Sequence, residues 1–512
     1  MSSHTPQADA QMPPSPRWNS RRALLTLGAI VAVAAFLRFY QLDRQCIWLD
    51  EAVSVKSARL MDNEGIAVVA TRDNVAPLTT WLLSQISDPG RETGTLVRLP
   101  AACAGVISVV LIYALGVVLL ESATIGLAAA AIAAISPFAI WYAQDGRMYS
   151  LLMMFSALAV LFFWPIARGD GNWKHALGLT ITTALGVYTH QYIALISAAC
   201  GLYLLMRVGL RDKRFWVWMG CQVVAALSFV PWLIASTRNS GLTAGTSKGQ
   251  MLFWLPYTFM AEVFGFSFGP SVNDLRSPAL GALREDLIWL LPALAGAAWI
   301  TGIGAARLWK SGQGGARFCF VWIAVPILLA MVAPLLTSRV NYNVRYVIGM
   351  YPALALVLGA GLLAARRSKL AAVAAGLMLA GMALGLVNWY TNPRYAKEEI
   401  RGAVALLKSE LKPGDVLILS SHTAGEVLDV YGLPLPERTL TVASASGDTA
   451  VPHSVGQTIA TLDAEPAHGR VWLLEYRIWE SDPKHRLRAW LDEHGPAKLS
   501  REWPGVVLRR YE

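Results

Sequence analysis

Four short polar clusters interrupt an otherwise apolar chain. Trp48-Leu49-Asp50-Glu51 sets two adjacent carboxylates behind an indole, and Trp141-Tyr142-Ala143-Gln144-Asp145-Gly146-Arg147 adds a third carboxylate and a guanidinium. Tyr188-Thr189-His190-Gln191-Tyr192 supplies an imidazole between tyrosines, and the stretch from Arg339 to Tyr346 holds Asn341, Tyr342, Asn343 and Arg345. A carboxylate can act as general base on an attacking hydroxyl. Fixed arginines suit a phosphate leaving group, because the guanidinium fork matches its oxygens. Trp48, Trp141, Tyr142, Tyr188 and Tyr192 would wall a sugar ring. Each cluster alone also reads as a polar helix end with interfacial aromatics, Asp50-Glu51 least so. Arg147 alone equally reads as a snorkelling cation. There is no Walker loop and no GxGxxG after a strand, so no soluble nucleotide site is visible. A donor for these groups would arrive on a lipid.

The elements that must position these residues are membrane spans. The chain has 512 residues, of which 55% are apolar and 15% charged. Its mean hydropathy is +0.43. An ordinary soluble domain carries about 25% charged residues, so the composition points to a polytopic membrane protein. Disordered, fibrous and small secreted classes are excluded. Eleven apolar stretches approach the ~20 residues that cross a bilayer: roughly 23–40, 97–120, 123–141, 149–167, 175–190, 192–207, 215–236, 286–306, 318–337, 345–364 and 370–390. The run Ala76–Ile86 is too short and reads as a juxtamembrane or re-entrant helix.

Arg17, Arg21 and Arg22 precede the first stretch, and alternate loops carry Arg207, Arg211, Lys213 and Arg214, or Arg366, Arg367 and Lys369. The positive-inside rule then places the N-terminal tail, 1–22, in the cytoplasm and all four clusters on the outer side. The expected organisation is a transmembrane catalytic domain over 23–390, with a first outer loop 41–96 and an outer loop 237–285. Asp274, Arg276, Arg284 and Glu285 in the latter loop read as solvated. Residues 391–512 hold no cysteine and carry 15 Lys/Arg against 17 Asp/Glu. They read as a small extracytoplasmic α/β domain, with a helix over Ala396–Leu411 and strands at Val416–Leu419, Val471–Leu474 and Val506–Arg510. The five cysteines of the chain show no metal spacing and read as small buried hydrophobes.

In order along one face, these motifs are similar to those of the GT-C glycosyltransferases, polytopic enzymes that use polyprenyl-phosphate sugars. The likeness is nearest to the bacterial relatives of protein O-mannosyltransferases and lipid A aminoarabinose transferases. It rests on Ile47-Trp48-Leu49-Asp50-Glu51-Ala52, on Arg98-Leu99-Pro100, on Ser136-Pro137-Phe138 leading to Tyr142-Ala143-Gln144-Asp145-Gly146-Arg147-Met148-Tyr149, and on Tyr188-Thr189-His190 and Arg345-Tyr346. It covers about residues 23–390. Two departures are Asp145-Gly146-Arg147, where the family often has Glu-Ala-Arg, and Val75-Ala76-Pro77, where it often has His-Pro-Pro.

The resemblance implies an inverting transferase of the bacterial inner membrane, multi-pass, with a periplasmic tail. It would move a sugar from a polyprenyl-phosphate donor to an extracytoplasmic hydroxyl on a glycan, lipid or protein. Asp50 would be the general base, with Glu51 and Asp145 as the other catalytic carboxylates. Arg147, His190 and Arg345 would meet the donor phosphate. Trp48, Tyr142, Tyr188, Tyr192 and Tyr346 would contact sugar or acceptor. No cofactor is required, though a divalent metal near Asp50 and Asp145 is compatible with the acids. The competing readings are a membrane transporter and a non-catalytic assembly factor for lipid-linked glycans. A transporter is disfavoured because no internal repeat is visible and the acids share one face.

Overall fold

A computed structural model describes residues 21–72, 77–86, 93–236, 251–272, 274, 280–337, 342–442, 454–464 and 469–512. Arg339 and Asn341 lie outside them. The helical part opens with α1 (Arg21–Phe39), followed by three short helices, α2 (Leu49–Glu64), α3 (Ile66–Arg72) and α4 (Pro77–Ser84). It continues with α5 (Gly94–Leu120), α6 (Ala123–Ile135), α7 (Pro137–Ala143), α8 (Tyr149–Arg168), α9 (Trp173–Thr189), α10 (Ile193–Val208), α11 (Lys213–Ser236), α12 (Met251–Phe264), α13 (Leu280–Lys310) and α14 (Gly314–Leu336). A 3₁₀ turn, Val344–Met350, runs into α15 (Tyr351–Ala365), and α16 (Lys369–Thr391) closes this part.

Among the described residues eight helical segments are long and apolar enough to cross a membrane, or nine if the bent pair α6–α7 counts as one. Each of the eleven expected stretches is helical, and α9 and α10, with 17 and 16 residues, fall just short of that length. The 60° bend between α6 and α7 falls at Ser136-Pro137. There the proline ring cannot continue a helix, and the Ser136 hydroxyl accepts from the Ala139 amide at 3.2 Å to start the next one. The bend carries α7 and its Asp145-Gly146-Arg147 turn across the end of the bundle. The loop expected over 237–285 contains a helix, α12, whose apolar run is shorter than a span. Asp274 within the same stretch is ion-paired to Arg394 at 2.7 Å and not simply solvated.

Glycines set the closest helix approaches. A Cβ on Gly116 of α5 would lie 2.3 Å from the Cα of Gly126 on α6, and one on Gly361 of α15 would lie 2.1 Å from the Ile300 carbonyl of α13. Small residues are what permit such backbone contact between apolar helices.

The C-terminal part holds α17 (Arg401–Glu410), β1 (Val416–Leu419), α18 (His422–Val430), β2 (Thr439–Thr441), α19 (Val455–Ala464), β3 (Val471–Tyr476), α20 (Arg486–His494), β4 (Leu499–Trp503) and β5 (Val506–Tyr511). The five-stranded sheet has the order β2-β1-β3-β5-β4. β1 is parallel to β2 and β3, and β5 is antiparallel to β3 and β4. Its core does not stop at the domain's edge. Ile400, Leu407, Leu417 and Trp472 pack in one buried cluster with Cys46, Ile47, Ala52, Val55 and Val97. Lys56 of α2 pairs with Glu426 of α18, and the Ile47 amide donates to the Tyr431 hydroxyl at 2.7 Å. The segment between α16 and α17 is stitched to both sides. Its Lys397 amide donates to Gln45 Oε1 at 3.0 Å, the Cys46 thiol donates to the Glu398 carbonyl at 2.6 Å, and the Glu399 amide donates to the Pro504 carbonyl at 2.8 Å.

Candidate active site

The site forms where the first turn of α2 meets the turn after α7. Asp50 and Glu51 sit at the amino end of α2, where the helix dipole favours acids. Glu51 is fully buried. Arg98, near the start of α5, forks onto it, with Nε 2.7 Å from Oε1 and Nη2 2.7 Å from Oε2. The remaining Arg98 donors go to the carbonyls of Leu42, Gln45 and Cys46 at 2.7, 2.9 and 2.8 Å. All five guanidinium protons are therefore used, which offsets the cost of burying the pair. The Gly146 amide adds a third donor to Glu51 at 2.8 Å. Burial alone would raise the Glu51 carboxyl, but the charges of Arg98 and Lys397 outweigh it and hold it well below its ordinary value.

Asp145 is also buried. It accepts from the Trp48 indole at 2.9 Å and from the Lys397 ammonium at 2.8 Å. Gly146 explains the departure from Glu-Ala-Arg. A Cβ there would lie 2.4 Å from Val97 Cγ1 and 3.3 Å from Glu51 Cγ, so an alanine has no room.

Asp50 is different. It faces a cavity of about 600 Å³ lined also by Trp48, Trp141, Tyr142, Asp145 and Tyr342. Among the described residues its one ion pair is with Arg345 Nη1, at 2.9 Å. Arg147 holds the backbone beneath it, donating to the Asp50 carbonyl at 3.0 Å and the Ser54 hydroxyl at 2.8 Å. Burial pushes the Asp50 carboxyl up, and Arg147 and Arg345 pull it further down, so it lies below the usual carboxylate range. The Nε–H groups of both Arg147 and Arg345 are buried and lack a partner among the described residues. Of the two, Arg345 lines the cavity, where an incoming anion could compete for it, whereas Arg147, expected at the donor phosphate, stands behind Asp50 and does not line it.

The structure does not bring every expected residue to the cavity. Tyr142 and Trp48 line it. Tyr188 turns away and donates to the Ser228 carbonyl of α11 at 2.6 Å. Tyr192 stacks on Tyr346 at 4.4 Å, and His190 stacks on Tyr192 at 4.8 Å. These three rings back Arg345, whose guanidinium lies 5.7 Å from the Tyr346 ring and 5.3 Å from that of Tyr149. They support an arginine of the site and do not line the cavity. Sequence reasoning missed the wall contributed by the segment after α16, where Arg394, Tyr395, Lys397 and Glu398 line the cavity with Arg477 of the sheet domain. It also missed the part played by Arg98. A basic residue opening an apolar span was the available signal for Arg98. None marked Lys397.

The acids do not fit a divalent ion as arranged. Glu51 and Asp145 have cations of the chain on them, and Asp50 is paired to Arg345. Among the described residues no group of three or more His, Cys, Asp or Glu could hold a metal, whereas a hard cation needs several free oxygens.

Residues 74–234 match the family described as dolichyl-phosphate-mannose-protein mannosyltransferase. ArnT from Cupriavidus metallidurans in its apo state aligns over 96% of this chain and 98% of its own, with a TM-score of 0.61 at 15% identity. The same protein bound to undecaprenyl phosphate aligns over 94% and 97%, with a TM-score of 0.59 at 16% identity. The fold is that of ArnT. The oligosaccharyltransferase of Archaeoglobus fulgidus, in complex with Zn and sulfate, shares it more distantly, with a TM-score of 0.52 at 13% identity over 88% of this chain and 67% of that one. No curated protein sequence matches.

Proposed function

We propose that the chain is a glycosyltransferase that moves a sugar from a polyprenyl-phosphate donor to a hydroxyl acceptor, with inversion at the anomeric carbon. The observation that carries this reading is the unequal state of the three carboxylates. Glu51 and Asp145 are held by the buried cations Arg98 and Lys397, whereas Asp50 is the most exposed of the three and pairs with a cavity-lining arginine, Arg345. The family match and the undecaprenyl phosphate of the ArnT structure support a lipid phosphate as the anion.

In the proposed reaction the donor phosphate settles on Arg345 and competes with Asp50 for its charge, while Arg147 holds the backbone beneath Asp50. Asp50, released, accepts the acceptor's hydroxyl proton. The acceptor oxygen bonds to the anomeric carbon as the carbon–phosphate-oxygen bond breaks. The electron pair leaves with the polyprenyl phosphate, whose charge Arg345 neutralises. Trp48, Trp141 and Tyr142 supply the apolar wall for the sugar. The cavity would open on the extracytoplasmic side of a bacterial inner membrane, with residues 391–512 in the periplasm.

The test is genetic and chemical together. The gene is deleted, restored as wild type or as Asp50→Asn, and surface glycans, lipids and glycoproteins are profiled by mass spectrometry. Loss of one sugar on deletion, its return with wild type and its absence with stably expressed D50N supports the transferase and names the acceptor. Full restoration by D50N removes the base and moves the transporter and assembly-factor readings ahead.

A further inference from the structure

The linker between α16 and the sheet domain places a buried ammonium against the acids, and the reaction above gives it no role. Lys397 is 6% exposed. Its Nζ lies 2.8 Å from Asp145 Oδ1, 3.6 Å from Glu51 Oε1 and 5.0 Å from the centre of the Trp48 ring. Trp48 is thus gripped on its edge by Asp145 and on its face by Lys397. Each of the three carboxylates has a cation of its own: Arg98 for Glu51, Lys397 for Asp145 and Arg345 for Asp50. Asp145 is adjacent to Gly146, whose amide is bonded to Glu51, and the Lys397 ammonium reaches both carboxylates. Without Lys397 they would have only Arg98 between them, and a buried carboxylate stripped of its cation is costly to keep charged.

We propose that Lys397 is a positioning residue for the transfer. By pairing with Asp145 and holding it on the Trp48 indole, it fixes the indole wall of the cavity and leaves Asp50, once the phosphate draws off Arg345, as the carboxylate that takes the proton. The proposal rests on the transferase reading. It gives the linker from the sheet domain a direct part in the charge balance of the site.

The test uses full-length protein in lipid nanodiscs as wild type, Lys397→Met, Lys397→Arg and the double variant Lys397→Met/Asp145→Asn. Infrared difference spectra at neutral pH read carboxyl protonation, and binding of undecaprenyl phosphate reads the phosphate site. Restoration of the gene-dependent glycan in the deletion strain reads turnover. K397M should gain one protonated-carboxyl band that the double variant lacks. Its turnover should fall on the order of 100-fold, as expected for a displaced wall and base, with undecaprenyl phosphate binding unchanged. K397R should keep most turnover, and the double variant should exceed K397M by about tenfold, since neutralising Asp145 removes the conflict. A K397M protein with no new band, or a double variant no more active than K397M, overturns the proposal. If K397M does not fold, the double variant decides alone: turnover within about tenfold of wild type, the roughly 100-fold loss less the tenfold recovery, supports the proposal, and a loss of about 100-fold or more overturns it. If neither folds while K397R does, Lys397 belongs to the scaffold and the proposal is wrong. An active D50N would instead strike the transferase reading, and the infrared result would stand separately.

Discussion

Asp50 and Glu51 are neighbours in sequence and opposites in environment. If Asp50 is the base, D50N should lower turnover by about 10²–10⁴ with little change in thermal stability, measured on purified protein in detergent. Its pKa gives a directional prediction. Arg147 and Arg345 depress it in the free protein, and a bound phosphate that draws off Arg345 must let it rise. The acid limb under saturating donor should therefore fall at higher pH than the acid limb under limiting donor. Equal limbs would contradict the exchange of partners. Glu51 gives a stability prediction of the usual acid sign. Its carboxyl is held down from 4.5 to about 2. The stabilisation it contributes is complete above 4.5 and is lost as pH falls through that window. E51Q should flatten the acid side of a melting-temperature profile. At Gly146, alanine should destabilise by ~1–3 kcal/mol, and V97A should recover part of that loss by vacating the Cγ1 contact.

At the scale of elements, the glycine crossings carry the bundle. Gly361→Ala should lower thermal stability in detergent, because the obstructing atom is the Ile300 carbonyl and cannot move alone. Gly376→Ala on α16 meets nothing within 4 Å, and should be neutral or mildly stabilising by helix propensity. Equal losses at both positions would show that close packing is not what these glycines serve. Most elements were legible in advance because hydropathy and period report them. Val416–Leu419 is a strand with those bounds, and β3 and β5 extend the expected strands only at their ends. The misreadings have causes. The helix expected from Ala396 begins at Arg401, because Ala396 to Ile400 is drawn out to reach the site and the first loop. α12 is apolar but only 14 residues long, so a span-length criterion passes over it. Among site residues, Asp50, Asp145, Arg147 and Arg345 were visible as charges at the edges of apolar runs. Lys397 was not, since it stands 252 residues from its partner Asp145 in a tail already rich in charge.

At the scale of the molecule, one buried cluster serves both the sheet domain and the first loop. The two should open together. Trp472 is fully buried in that cluster, so W472A, a loss of about 3–5 kcal/mol, should speed amide exchange in 45–55 and in 396–407 alike. Faster exchange confined to the sheet would mean that the joint is not shared.

The stitched linker also decides how such a chain can be recombined. Hydropathy alone places the seam at Thr391, where the last apolar helix ends. A hybrid spliced there would import a foreign 392–400, and with it a foreign counter-ion for Asp145 and foreign partners for Gln45 and Cys46. A junction after Ile400 keeps those contacts in the parent. Even then Arg477 reaches the cavity from β3's end, so a transplanted tail brings its own side chain into the host's reaction chamber. The tail and the cavity wall are therefore inherited together at this seam, and shuffling the tail cannot leave the cavity untouched.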